Sequence, residues 1–348
     1  MKRKKLIDNL ITYGMVIIAF VICQSMLNAG TMSRSMRGQL VPICVYIIMA
    51  VSLNLTVGIS GELSLGHAGF MSIGAFSGIV MVSWLQKGMG MADKTLLLVL
   101  ALIVGGIMAG IAGVMIGIPV LRLRGDYLAI VTLAFGEIIR NILNCIYISV
   151  DGRSLHFSFN NPVLPGTMVF KGPTGATGVP RLATFTVGFI LVMITLVVVL
   201  NLINSRSGRA IMAIRDNRIA AESMGINVTK YKMMAFIVSA VLAGVAGALY
   251  GLNYSQLAPA KFKFDQSIMI LVYVVLGGIG NIRGSVISAA LLYILPEMLR
   301  SFSQYRMLIY AVVLILVMLA TNNPKLRNMA AMLKPMRRNG AVKGGSAK

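Results

Sequence analysis

Glu62, Ser64 and His67 place a carboxylate, a hydroxyl and an imidazole close together in an otherwise apolar stretch. A carboxylate near a histidine can bind a metal, relay a proton or polarise a substrate. A metal needs a further ligand, and the other histidine, His156, lies in a distant polar segment, so no metal site is predicted. Glu62 is instead expected at the first turn of a broken helix, where it would cap backbone N–H groups or pair with a loop arginine. Glu137 and Arg140 form a second constellation. They are three apart on one helical face and can pair. A lone charge at membrane depth costs about 3 kcal/mol, so this pair is expected to face a bundle interior as a structural contact, or to act in gating or translocation. No Walker A sequence, HExxH, GxSxG or cluster of paired aspartates is present. The chain has no evident means of hydrolysing ATP, and no cofactor of its own is predicted.

The third constellation is a cationic island from Asn204 to Lys232. Arg206, Arg209, Arg215, Arg218, Lys230 and Lys232 outnumber Asp216 and Glu222. Ile211, Ile214, Ile219 and Met224 set a helical pattern from Ile211 to Met224, and Gly225 supplies a stop. A turn at Asp216, Asn217 and Arg218 would divide it into two short helices. Small side chains at Ala220 and Ala221, ringed by charges, suit docking on a partner.

The elements that position these residues are apolar. The chain has 348 residues, 57% hydrophobic and 12% charged, about half the charge of a soluble domain. The fold class is therefore an all-α, polytopic integral membrane protein. Spans are predicted at Leu10–Asn28, Leu40–Val57, Gly58–Trp84, Thr95–Val120, Tyr127–Ile148, Leu182–Ile203 and Met233–Tyr254. Gln266–Leu299 is too long for one crossing, and Gly277–Ser285 divides it in two. Met307–Ala320 completes ten crossings. Residues 1–324 then form one transmembrane domain, and 325–348 a basic, partly disordered tail. Glycine breaks the third stretch at Gly58 and Gly61, and the eighth at Gly277, Gly278 and Gly280, beside Asn281. Irregular backbone at membrane depth is tolerated where it lines a cavity or is covered by protein, so these breaks, with Glu62, Ser64 and His67, are candidate pathway residues. The two broken stretches look loosely alike, each placing glycines after an apolar run. In the fourth span Gly106 and Gly110, and Gly113 and Gly117, have the spacing that lets helices approach closely.

The net charge of +22 raises nucleic acid as a partner. The cations lie between apolar spans rather than along one soluble face, so that class is excluded and the bilayer is the partner. With the N-terminus inside and crossings alternating, 20 basic residues fall inside and 11 outside. That bias fits retention of positive loops in the cytoplasm. It puts both termini and the island inside, and the Pro-containing loop at 149–181 outside. Cys23, Cys44 and Cys145 lie in apolar runs and read as small buried hydrophobes.

RAIMAIRDNRIAAESMGINVTKYKMMAF resembles the coupling loop of ABC importer permeases, whose consensus is Glu-Ala-Ala, three residues, then Gly. Ala220, Ala221 and Gly225 match, and Ile219 replaces the Glu. LNLTVGISGELSLGHAGFMSIGAF (Leu53–Phe76) and GDYLAIVTLAFGEIIR (Gly125–Arg140) closely resemble the branched-chain amino acid permeases of that class, over nearly the whole chain. The resemblance implies a five-part importer: this chain, a related second permease subunit, two ABC ATPase subunits that bind the ATP, and an extracytoplasmic solute-binding protein for leucine, isoleucine or valine. It implies that Arg215, Asp216, Ala220, Ala221, Glu222 and Gly225 meet an ATPase. A permease for urea, short amides or another small solute shares much of this pattern. An ion-coupled carrier working through Glu62, His67 or Glu137 is the rival from another class.

Overall fold

In a bilayer each apolar run must satisfy its own backbone, and for single segments the helix does so. The computed structural model describes residues 2–30, 32–121, 126–160 and 164–299, with isolated positions between 305 and 315. The expected last span and the basic tail lie almost wholly outside the described residues. Among those described, seven helices are long and apolar enough to cross a membrane. They belong to α1 (Lys2–Asn28), α2 (Arg34–Asn54), α3 (His67–Gly88), α4 (Lys94–Val120), α5 (Asp126–Cys145), α6 (Phe185–Asn204) and α9 (Val228–Gly251). The island holds α7 (Arg206–Asp216) and α8 (Arg218–Ser223), and α10 (Phe264–Gly277) and α11 (Ile282–Met298) follow α9. A 14-residue helix such as α10 is about 21 Å long and does not by itself cross the ~30 Å hydrocarbon layer.

Helix α2 is the axis of the bundle. It is apolar on every side, and it is buried from Leu40 to Asn54 except at Ile43, as an all-round hydrophobic helix must be. Helices α3, α4 and α9 pack against one another through glycine. A Cβ at Gly74 of α3 would collide with the Gly244 carbonyl of α9, and one at Gly247 would collide with the Met71 carbonyl. The α4 glycines singled out by spacing all face α9: Gly106 and Gly110 meet Val241, Gly113 meets Ala240, and Gly117 meets Met233. Backbones this close gain dispersion contacts in a medium where the hydrophobic effect between helices is absent.

Two expectations are corrected. The third span begins at His67 rather than Gly58: a π turn (Leu55–Ile59) ends α2, and residues 60–66 form an irregular, non-helical link. The all-α class holds for the bundle, but the polar segment at 149–181 is not a plain loop. It contributes to a five-stranded antiparallel sheet of order β2-β1-β3-β4-β5, formed by β1 (Ile146–Asp151), β2 (Ser154–Phe159), β3 (Thr167–Lys171), β4 (Ala176–Thr177) and β5 (Gln256–Leu257). A two-residue turn with Gly152 at φ 52° closes the first hairpin. The sheet caps the bundle end opposite the island, and Trp84 Nε1 of α3 donates to Arg153 O at 2.9 Å.

Gly74→Leu is expected to destabilise the bundle by about 3 kcal/mol, because a backbone rather than a flexible side chain must yield. Gly14→Ala, where nothing lies within 4 Å of the added carbon, is expected to leave stability unchanged or improve it. Thermal denaturation of both variants in detergent checks the contrast.

Candidate functional site

The break after α2 is built by Asn54 and two glycines. Asn54 is fully buried and spans two elements: its Oδ1 accepts from Gly280 N at 2.8 Å, and its Nδ2 donates to Ser285 Oγ at 2.8 Å. It thereby satisfies the turn between α10 and α11. That turn folds tightly because Gly278 and Gly280 have φ of 92° and 82°, and Gly277 packs directly on Gly284. Asn281 caps α11 through Gly284 N at 3.3 Å. A Cβ at Gly58 would strike Asn54 Oδ1 and Gly280 N, so the two broken stretches touch through glycine. Past the π turn, Gly61 has φ 75°, and Glu62 N donates to Thr56 O at 3.1 Å.

The island folds as two short helices rather than one. Asn217 is extended at φ −153°, and its Oδ1 accepts from Ala220 N at 3.0 Å, which ends α7 and caps α8. Gly225 at φ 78° closes α8. Asn227 caps α9 through Lys230 N, so Lys230 and Lys232 belong to the first turn and a half of α9 rather than to a loop. Arg218 pairs with Glu222 at 3.0 Å. Ile219 and Met224 are 80% and 81% exposed, whereas Ala221 is only 5% exposed and packs with Ile214 and Val228. The small side chain at Ala221 thus serves packing inside this chain, while Ala220 and Glu222 face outward. Arg215 turns inward: its Nη1 donates to Gly58 O at 2.8 Å, while Nε and Nη2 hold Asp216 Oδ1 at 3.1 and 3.0 Å.

The carboxylate and imidazole read together do not meet. Glu62 lies in the irregular link before α3 and pairs with Lys232 of α9 rather than with an arginine. His67, the first residue of α3, is buried, and its Nε2 lies 2.7 Å from Ser52 Oγ. The Ser52 hydroxyl also lies 2.9 Å from Met49 O, so its one proton goes to the carbonyl or to the imidazole as the His67 tautomer sets. Among the described residues no group of three or more His, Cys, Asp or Glu could hold a metal. Ser64 is buried, and its hydroxyl, like that of Thr56, finds no hydrogen-bond partner.

Glu137 and Arg140 do pair, at 2.6 Å, but Glu137 has a second duty. Its Oε1 accepts from Phe264 N at 3.3 Å, which puts a carboxylate on the positive end of α10. Thr132, also on α5, receives Leu65 N at 3.0 Å, and Ser267 of α10 receives Ala68 N at 3.1 Å. The starts of α3 and α10 therefore meet against α5, around a small space lined by Leu65, Gly69, Gly136, Glu137, Phe264 and Ser267. Asn54, Thr132 and Ser267 escaped the sequence reading, and Lys232 entered it only as an island charge; Asn54, a lone amide in an apolar span, carried a signal there.

Glu137→Ala is expected to cost about 1–2 kcal/mol by uncapping α10, and Glu137→Gln, which keeps an acceptor oxygen, less than half of that. Calorimetry or denaturant melts of the two variants in detergent distinguish capping from the ion pair alone, which both substitutions remove.

Comparison with known proteins bears on this geometry. Residues 35–320 match the family described as branched-chain amino acid transport system / permease component. The chain is 33% identical over 337 residues to the high-affinity branched-chain amino acid transport system permease protein LivM of Escherichia coli K12, covering 87% of this chain and 72% of that one. It is 35% identical over 290 residues to LivM of Salmonella typhimurium LT2, covering 79% and 66%. It is also 27% identical over 285 residues to the ribose import permease protein RbsC of Haemophilus influenzae, covering 79% and 81%. No solved structure matches the chain. With seven helices among the described residues long and apolar enough to cross a bilayer and the family match over most of its length, the chain belongs to the permease components of branched-chain amino acid transport systems.

Proposed function

We propose that this chain forms half of the translocation pathway of an ATP-driven importer in a bacterial cell membrane, with both termini and the island in the cytoplasm. It pairs with a second, related permease. Two ABC ATPases beneath it bind and hydrolyse the ATP, and a solute-binding protein delivers leucine, isoleucine or valine from outside. This chain holds no cofactor. The observation that carries the coupling role is α8, which presents Ile219 and Met224 to solvent from a doubly capped frame. Two large apolar side chains on a cationic surface form an anchor of the kind that fills a partner's pocket. Selectivity then rests with the binding protein, in keeping with pathway candidates that are mostly glycine and backbone. The similarity to a ribose import permease favours a second reading, in which the solute is another small polar molecule. An ion-coupled carrier finds less support: Glu62 is neutralised by Lys232, and His67 is engaged by Ser52.

Purification of the chain from its native membrane in mild detergent is expected to recover two ATPases, a second permease and a binding protein. That binding protein is expected to retain leucine and to ignore urea and ribose in calorimetric titration. Recovery of this chain alone, where a control complex survives, would contradict the reading. Ile219→Asp with Met224→Asp is expected to leave membrane insertion intact and weaken ATPase retention by about 2 kcal/mol, roughly thirtyfold.

A further inference from the structure

The island grips the break between α2 and α3 from two sides. From α7, Arg215 Nη1 donates to Gly58 O at 2.8 Å. The stem of the same side chain lies along Gly61, where a Cβ would come within 2.7 Å of Arg215 Cγ. From α9, Lys232 pairs with Glu62. Both of these side chains are largely shielded, with 14% and 11% of their surfaces exposed, so the attraction is screened less than at a free surface. Gly58 in turn abuts Gly280, which Asn54 ties to α2 and, through Ser285, to α11. One carbonyl, Gly58 O, therefore joins α7 to the turn between α10 and α11. Arg215 has only partial freedom to act elsewhere, because Asp216 holds its Nε and Nη2 edge. A guanidinium can bind both groups in this fixed fork, whereas an ammonium cannot.

We propose that Arg215 and the Glu62–Lys232 pair are the positioning residues that carry a displacement of α7 and α8 into both helix breaks. Arg215 is then a transmission contact, not a contact with the ATPase. The proposal rests on the importer role argued above. A push on α8 reaches Gly58 through Arg215 and reaches residues 60–66 through Lys232. Two attachments four residues apart, at Gly58 and Glu62, move this link as a body rather than pivot it. The turn at Gly278 to Asn281 follows, because Asn54 and Gly58 leave it no space to lag.

The test uses the full complex in proteoliposomes, with its binding protein and radiolabelled leucine, and measures leucine imported per ATP hydrolysed. The wild-type complex must first import leucine; failure at that stage counts against the proposed function rather than against this inference. Arg215→Ala is expected to keep the ATPases at wild-type ratio and retain hydrolysis, while import per ATP falls about tenfold. Arg215→Lys, which conserves charge and bulk and so guards against misfolding, is expected to lie between them. Glu62→Lys is expected to uncouple in the same way, and the exchange Glu62→Lys with Lys232→Glu to restore import per ATP. Unchanged import per ATP in Arg215→Ala and Glu62→Lys would overturn the proposal. So would loss of the ATPases from Arg215→Ala, which would make Arg215 a docking contact.

Discussion

The structure depends on one constraint: a backbone that leaves the helix inside a bilayer must find partners for every exposed N–H and C=O. The chain breaks helix twice, after α2 and after α10, and it brings the two breaks together so that they satisfy each other. Asn54 supplies an acceptor and a donor where two backbones come too close for any side chain to intervene. The glycines at 58, 277, 278 and 280 follow from that closeness and from positive φ at two of them. Arg215 and Lys232 then close the group from the island side.

This arrangement joins stability to function. Discontinuous helices with starts at membrane depth are a recurring way to place polar groups along a solute path. Here the starts of α3 and α10 meet against α5, where Thr132, Ser267 and Glu137 receive their N–H groups. The link before α3 and the turn after α10 lie, in turn, at the contacts made by Arg215 of α7 and Lys232 of α9. Packing between α3, α4 and α9 is backbone on backbone, which makes that group stiff. A displacement entering at α8 has few soft places to dissipate, since interdigitated cores are switched between arrangements rather than stretched.

Much of this was legible from residue types. Apolar runs located the seven long helices among ten expected crossings, glycines marked both breaks, and the imbalance of Arg and Lys against Asp and Glu marked the island. The misreadings share a cause. Glu62 was expected in the first turn of a helix, but residues 60–66 are an irregular link, and Glu62 and His67 go to Lys232 and Ser52 instead. Lys232 was counted as a loop charge because local pattern does not reveal that capping by Asn227 starts α9 five residues earlier. Ala221 was read as a docking face, yet its neighbours Ile214 and Val228 come from either side of α8, a tertiary fact. The sheet was missed because its strands are short and the connections between them hold Pro162, Pro165 and Pro173, which read as loop.

The central claim is that the island and the helix breaks move as one body. It is tested most directly by pulsed electron resonance on the whole complex, after Cys23, Cys44 and Cys145 are replaced. Spin labels at Ser223 of α8 and Ile279 of the turn report one distance; labels at Ser223 and Phe157 of the sheet report another. On trapping ATP the account predicts that the first distance holds while the second changes. A change in the distance from Ser223 to Ile279, with Ile279 fixed relative to Phe157, would contradict it.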